Sequence, residues 1–263
     1  NSVKKDIAQI RELSEELGAN IAILADLQGP KLRVGIMEEG VELQSEDVVS
    51  FCTGEEFEGN KERVYMNYDD FPNDVKKGER ILVDDGKLIF EIISTNGVNE
   101  VKTKVIQGGF FKSKKGVNLP NTKLSLPALT KKDKKDALFA LDQGVDWIAL
   151  SFVRYAKDLK KLQKLIENNS EYKVPIIAKI EKPEGVANIK KIVQYCDGIM
   201  VARGDLGVEV PAEEVPLIQK KLVLIAKEAR IPVIIATQMM ETMIDSLTPT
   251  RAEVNDVANS VMD

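Results

Sequence analysis

The stretch "AKIEKPEG" (178–185) ends an apolar run with Lys179 and Glu181 two positions apart. Side chains alternate faces along a strand, so this pair shares one face while Ile180 turns to the other. Two chemistries fit. One is a structural ion pair closing the strand; the other is a carboxylate that holds a divalent metal beside an ammonium that neutralises developing negative charge. A later apolar run ends in "MVARGDLGVEVP", where Ala202, Arg203, Gly204 and Asp205 make a tight turn into a short helix whose N–H groups suit an anion. Asp205 reads either as an N-cap or, within reach of Glu181, as the second carboxylate of a Mg2+ site. Thr237 closes "PVIIAT" with a hydroxyl that is a cap or a proton relay. Arg33, just past Gly29-Pro30, suits a phosphate if it points inward and a hinge surface if it does not. Lys114 and Lys115, in "KSKKGVNLP", read as a solvated charge run as readily as a binding element.

Composition narrows the chemistry. The chain has no histidine, which removes Ser-His-Asp triads, His-ligated zinc and imidazole acids together. What is left is Lys, Arg, Asp, Glu, Thr and hard, oxygen-bound metal ions. Lys+Arg 37 against Asp+Glu 42 gives a net charge of −5, and aromatics are 5%, so no basic, aromatic-interleaved stripe points to nucleic acid. The longest strongly apolar segment, 231–240, is far too short to span a bilayer, and the N-terminal stretch is amphipathic rather than a signal peptide. A soluble, cytoplasmic protein is expected. Cys52 and Cys196 lack metal or redox spacing and are expected to be buried thiols.

These residues need elements to hold them. Val3, Ile7, Ile10, Leu13 and Leu17 recur at helical spacing and Gly18 fits the stop. "IAILADLQGP" then reads as a strand covered on both faces. From about 35 to 111, short alternating runs separated by Gly, Asn and Asp turns indicate antiparallel β structure of small-domain size. Beyond it, helices at about 130–142, 155–168, 184–194 and 212–229 alternate with "VDWIALSF", "VPIIAKIE", "DGIMVARGD" and "IPVIIATQ", and a last helix starts near Pro249. Five apolar strands therefore end in Asp26, Ser151, Lys179 with Glu181, Asp205 and Thr237. Right-handed βαβ units make a doubly wound sheet or a (β/α) barrel, with ligands at the strands' carboxyl ends in both. The barrel is favoured because polar residues end nearly every strand and no Gly-rich dinucleotide turn is present. The expected fold is α/β, a partial TIM (β/α)8 barrel with an inserted small antiparallel β-barrel domain. Its expected parts are barrel 1–33, insert 34–125 and barrel 126–263, with further strands expected outside the chain at both ends.

Taken together, "DLQGPKLRVG", "VDDG", "KKGVNLP", "ALSF", "AKIEKPEG", "MVARGDLGVE", "IIATQMMETM" and "TPTRAEVNDVANSV" resemble the pyruvate kinase family, in this order over nearly the whole chain. The resemblance implies transfer of a phosphoryl group from phosphoenolpyruvate to ADP, giving pyruvate and ATP, the last step of glycolysis. By position, Lys179 matches the phosphoryl-transfer lysine, and Glu181 and Asp205 the ligands of Mg2+ (or Mn2+). Thr237 matches the threonine near the enolate carbon and Arg33 the arginine that supports transfer. Ser151, Arg203, Gly204 and Asp205 match positions around the substrate. Asp84 and Lys115 match residues of an inserted lid that contacts nucleotide. The family also implies a homotetramer for the full-length enzyme.

Departures from the family pattern carry information too. Many members have Asp-Thr-Lys-Gly-Pro-Glu where this chain has Asp26-Leu27-Gln28-Gly29-Pro30-Lys31, and the Glu form needs K+. The lysine form resembles members that work without it, with Lys31 supplying positive charge at the monovalent-cation position beside Asp26. The family's upstream Asn-Phe-Ser-His-Gly loop, its downstream Ser-Gly-Glu-Thr strand and its C-terminal domain are not in this sequence, so the chain alone is expected to turn over little or no substrate. One alternative is another Mg-dependent barrel acting on phosphoenolpyruvate or pyruvate enolates, an aldolase or mutase, which would not need the insert. Another is a non-catalytic scaffold in which the last helix and Arg251 contact a neighbouring subunit.

Overall fold

The computed structural model describes residues 2–120 and 122–263. In chain order, helix α1 (Ser2–Glu16) precedes strand β1 (Leu24–Leu27). Then come β2 (Glu42–Leu43), β3 (Val48–Cys52), β4 (Arg63–Tyr65), α2 (Phe71–Asp74), β5 (Arg80–Val83), β6 (Leu88–Thr95), β7 (Glu100–Gln107), β8 (Gly109–Phe110) and β9 (Val117–Asn118). The remainder alternates: α3 (Lys131–Asp142), β10 (Trp147–Leu150), α4 (Ala156–Glu167), β11 (Ile176–Ile180), α5 (Pro183–Ala187), α6 (Ile189–Ile192), β12 (Gly198–Ala202), α7 (Arg203–Glu209), α8 (Val215–Ala229), β13 (Val233–Ala236) and α9 (Arg251–Met262). The chain divides into two compact units, one of residues 1–30, 127–206 and 213–263, the other of 31–126 and 207–212.

In the first unit, five strands pair in parallel in the order β1-β10-β11-β12-β13. That order follows the chain without a reversal. A doubly wound sheet must reverse at a switch point, so the arrangement is that of a barrel wall. The registers Leu27↔Leu150, Leu150↔Ala178, Ile180↔Val201 and Ala202↔Ala236 align the carboxyl ends along one rim. One face of the central strands is fully buried, with Ile148, Leu150, Ala178, Ile180, Ile199 and Val201 all at 0% exposure, while the other buries Ala149 and Ile177 and leaves Lys179 and Met200 half-buried.

Three expectations change here. β1 is half covered rather than buried on both faces, and among the described residues it pairs on one side, with β10. α1 forms as expected but buries none of its side chains, and Arg11 ties it down instead, through Gly144 O and Asp146 at 2.8 Å. The single helix expected at 184–194 is two short ones, broken at Asn188, whose side-chain amide donates to Glu184 O at 2.8 Å and Arg154 O at 3.2 Å. Helix starts follow local chemistry more closely. Thr130 with Asp133 and Thr250 with Glu253 form capping boxes at α3 and α9.

The second unit is built on period-2 alternation. In β6, Leu88, Phe90 and Ile92 point inward while their neighbours do not. Its six-stranded sheet runs β4-β3-β7-β6-β5-β9, with β2-β8 as a separate ribbon. The expectation of a wholly antiparallel insert is corrected at one place: β3 and β4 run parallel, joined by a crossing over residues 53 to 62. Single bridges join Val34 to Met66, beside β4, and Arg33 to Gly116, beside β9, so one short segment links the sheet's two edge regions. Inside, Phe51 meets Phe90 edge-on at 5.1 Å and Phe90 lies 5.8 Å from Phe111.

Both cysteines are buried and free. Burial is the main cause that pushes the Cys196 thiol from its ordinary 9.0 up to about 12. Its thiolate fraction at neutral pH is then lower by about a thousandfold. Iodoacetamide should therefore alkylate Cys196 at least about a hundredfold more slowly in the native protein than in denaturant; equal rates by peptide mass spectrometry would contradict this burial.

Candidate active site

At the carboxyl ends of the parallel strands, Lys179 reaches across to β1. Its Nζ lies 3.0 and 3.1 Å from the two carboxylate oxygens of Asp26 and 3.4 Å from Glu181 Oε1. The Lys179 side chain is 13% exposed and that of Glu181 only 1%. Burial disfavours the ammonium, but the attraction of Glu181 and the hydrogen bonds of Asp26 outweigh it, and the pKa of Lys179 is raised. Glu181 is pushed up to about 7, first by burial and further by Asp205, against the pull of Lys179. Its other oxygen, Oε2, accepts the Phe152 backbone N–H at 2.6 Å.

That amide is aimed by an unusual backbone. Phe152 sits at φ +54°, a left-handed conformation uncommon for a bulky side chain. Directly before it, Ser151 is 2% exposed and donates its hydroxyl to Leu27 O at 2.7 Å, stitching β10 to β1. Glycine is required next door for a steric reason. A Cβ at Gly185 would stand 2.5 Å from Val153 O, so only glycine lets α5 start this close to the β10 loop.

One strand further on, Thr237 Oγ1 accepts the Gly204 N–H at 2.7 Å. A Cβ at Gly204 would lie 3.1 Å from that hydroxyl, so a side chain there would press on Thr237. Arg203 is 7% exposed, and its guanidinium faces inward onto Thr237 O at 2.7 Å and Asp256 Oδ1 at 2.6 Å. The Gly204 amide and the Arg203 fork, expected from sequence near the substrate, thus both engage protein groups.

In the second unit, Asp84 and Lys115 meet as an ion pair at 2.9 Å, which holds the Asp84 carboxyl below its ordinary pKa. Arg33 donates to Lys114 O at 2.8 Å. Lys31 falls within this unit; in the first unit, Asp26 is contacted by the Lys179 ammonium.

Sequence reasoning passed over Phe152, whose role is a backbone one, and Asp133. The latter is 0% exposed and accepts the Gly29 N–H at 3.0 Å, fixing the turn after β1. The Thr130-x-x-Asp133 spacing was the available signal.

Asp26 and Glu181 flank Lys179, and Asp205 lies close enough to Glu181 to raise its pKa, an excess of negative charge that suits a divalent cation. Among the described residues no group of three or more acidic or thiol side chains forms a metal cage. An oxygen pair such as Glu181 and Asp205 nevertheless fits Mg2+, which is usually held by one or two carboxylates plus water and substrate oxygens.

Beyond Thr237, Glu253 closes the loop onto α9. Its carboxylate accepts from Thr242 N–H at 2.8 Å, Thr242 Oγ1 at 2.6 Å and Thr250 N–H at 2.7 Å, and the Thr242 bonds lead in lowering its pKa to about 2. A depressed carboxyl contributes stability above its ordinary 4.5 that is lost as pH falls toward the folded value. Glu253→Gln should therefore lower Tm at neutral pH, and the gap to wild type should narrow between about pH 5 and pH 3; a pH-independent gap in thermal melts would refute this.

Comparison with known proteins places this geometry. A family model described as pyruvate kinase, barrel domain, matches residues 1–263. The chain is 48% identical over 254 residues to a pyruvate kinase of Corynebacterium glutamicum, covering 97% of this chain and 53% of the relative. It is 47% identical over 261 residues to that of Geobacillus stearothermophilus (98% and 44%), and 46% over 264 residues to pyruvate kinase 2 of a Synechocystis species (99% and 44%). The chain spans about half the length of the curated relatives it matches. No helix among the described residues is long and apolar enough to cross a membrane.

Proposed function

Because the chain belongs to the pyruvate kinase family, we propose that its parallel-sheet unit carries the phosphoryl-transfer core of an enzyme converting phosphoenolpyruvate and ADP to pyruvate and ATP. The observation that carries this reading is the Lys179 ammonium held within 3.0–3.4 Å of Asp26 and Glu181 at the strand ends. Phosphoryl transfer asks a protein mainly for position and charge neutralisation, and a cation locked by two carboxylates provides both without histidine. The relatives' names favour this kinase over the aldolase or mutase alternative.

In this reading, the bond from phosphorus to the enol oxygen breaks as a terminal oxygen of ADP attacks. Lys179 balances the charge on the moving phosphoryl group and Arg33 supports it. When bound, Mg2+ or Mn2+ at Glu181 and Asp205 supplies Lewis-acid charge to the substrate oxygens. The enolate carbon then takes the proton of the Thr237 hydroxyl, which solvent replaces. Since Thr237 Oγ1 already accepts from Gly204, its own proton is free to be given away. Ser151 and the turn Arg203-Gly204-Asp205 border the substrate, and the insert of 34–125, between the barrel segments 1–33 and 126–263, acts as a lid with Asp84 and Lys115 toward nucleotide. A cytoplasmic homotetramer is proposed for the full-length enzyme.

In the full-length protein, Lys179→Met should lower ADP-dependent pyruvate release by at least about a thousandfold while leaving the circular dichroism spectrum unchanged, since the lysine's charge acts in the transition state. Retained turnover would sink the assignment. We also propose that K+ is not required, because the chain's own lysines, Lys179 in contact with Asp26 and Lys31 after the Gly-Pro turn, supply the positive charge. Replacing tetramethylammonium with K+ at fixed ionic strength should change kcat by less than about twofold; a large rise would overturn this.

A further inference from the structure

We infer that Arg203 is a positioning residue for proton delivery by Thr237, acting through the Thr237 backbone and held from behind by Asp256. The inference rests on the role proposed above for Thr237, and it changes the expected part of Arg203 from contacting substrate to shaping the residue that does.

The backbone after β13 is strained. Thr237 lies at φ +69°, Gln238 at +55° and Met240 at +53°. A β-branched residue in the left-handed region is an outlier that persists only where its surroundings enforce it. Arg203 is that surrounding. Its Nε and Nη2 reach Thr237 O at 3.3 and 2.7 Å, and Nη2 also reaches Gln238 O at 3.3 Å. From the other side, Nη1 donates to Asp256 Oδ1 at 2.6 Å on α9 and to Gln219 Oε1 at 3.4 Å on α8. Every face of the planar fork has an acceptor, an arrangement that a lysine's single ammonium does not reproduce.

The neighbouring residue completes the hold. Gly204 N–H fixes the Thr237 hydroxyl at 2.7 Å while Arg203 fixes its carbonyl. One dipeptide thus holds both ends of the threonine, its backbone carbonyl and its hydroxyl oxygen. Releasing the carbonyl lets the residue relax toward ordinary φ and carries the hydroxyl off line, and misplacement of about 1 Å costs on the order of a hundredfold in such a step. Phosphoryl transfer at Lys179, two strands away, does not depend on that geometry.

The test uses full-length enzyme with Mg2+ and compares exchange of pyruvate methyl protons with solvent deuterium, by NMR, against ATP formation from phosphoenolpyruvate and ADP. Arg203→Gln and Arg203→Lys should each slow exchange at least about tenfold more than they slow ATP formation. Asp256→Asn, a milder variant that retains the arginine, should shift the same ratio in the same direction. Combined with Thr237→Val, Arg203→Gln should add little further loss of exchange, because both remove one function. Equal losses in the two reactions, or additive losses in the double variant, would overturn the inference. If Arg203→Gln does not fold, the double-mutant cycle of Asp256→Asn with Thr237→Val measures the same coupling, and additive losses there would overturn the inference equally. Wild-type enzyme that neither exchanges pyruvate protons nor forms ATP would instead refute the proposed function.

Discussion

A half-buried cation between two carboxylates, one exposed and one buried, governs the first unit. A carboxylate as buried as that of Glu181 is tolerated only when paired and hydrogen-bonded. The Lys179 ammonium therefore requires Asp26 from β1, Glu181 from its own strand and, through Glu181, the Phe152 amide from the β10 loop. Three neighbouring strands must be in register for one side chain to be stable. Parallel pairing provides that register.

A second constraint of the same kind operates at the other end of the sheet. There a guanidinium replaces the ammonium and carbonyl oxygens replace one of the carboxylates. The two differ in what they leave exposed. Around Lys179 the charges face the rim where strands end, whereas Arg203 turns its charge inward and leaves only the Thr237 hydroxyl and its neighbours outside. Cations at strand ends are thus held in two ways, one between carboxylates at the rim and the other against backbone carbonyls behind it.

Much of this was readable beforehand. Period-2 spacing put Lys179 and Glu181 on one face and strand-end positions picked out Asp26, Ser151, Asp205 and Thr237, whereas the Thr-x-x-acid spacing that caps α3 and α9 was there to be read and went unused. What was not readable lies past the last ladder residue of each strand. There the chain leaves the repeating geometry, and the direction of Arg203 or the φ of Phe152 depends on tertiary contacts that no local pattern encodes. Left-handed backbone is forecast from glycine; here Phe152, Thr237 and Gln238 adopt it instead, so the usual signal was missing. The parallel β3–β4 pair escaped for a related reason, since alternation reports which face is buried but not strand direction.

The bridge between Arg33 and Gly116 bears on how quickly the chain can find its fold. β1 pairs with β10 across a span of about 120 residues, an entropically expensive first contact if the intervening chain is unfolded. Once the β unit has formed, that bridge draws positions 33 and 116 together, and the effective loop shrinks to the flanking segments alone. Logarithmic loop scaling makes this worth roughly 1 kcal/mol toward β1–β10 pairing. Insertion between β1 and β10 of the parallel sheet therefore delays assembly less than its length suggests, provided the insert folds first.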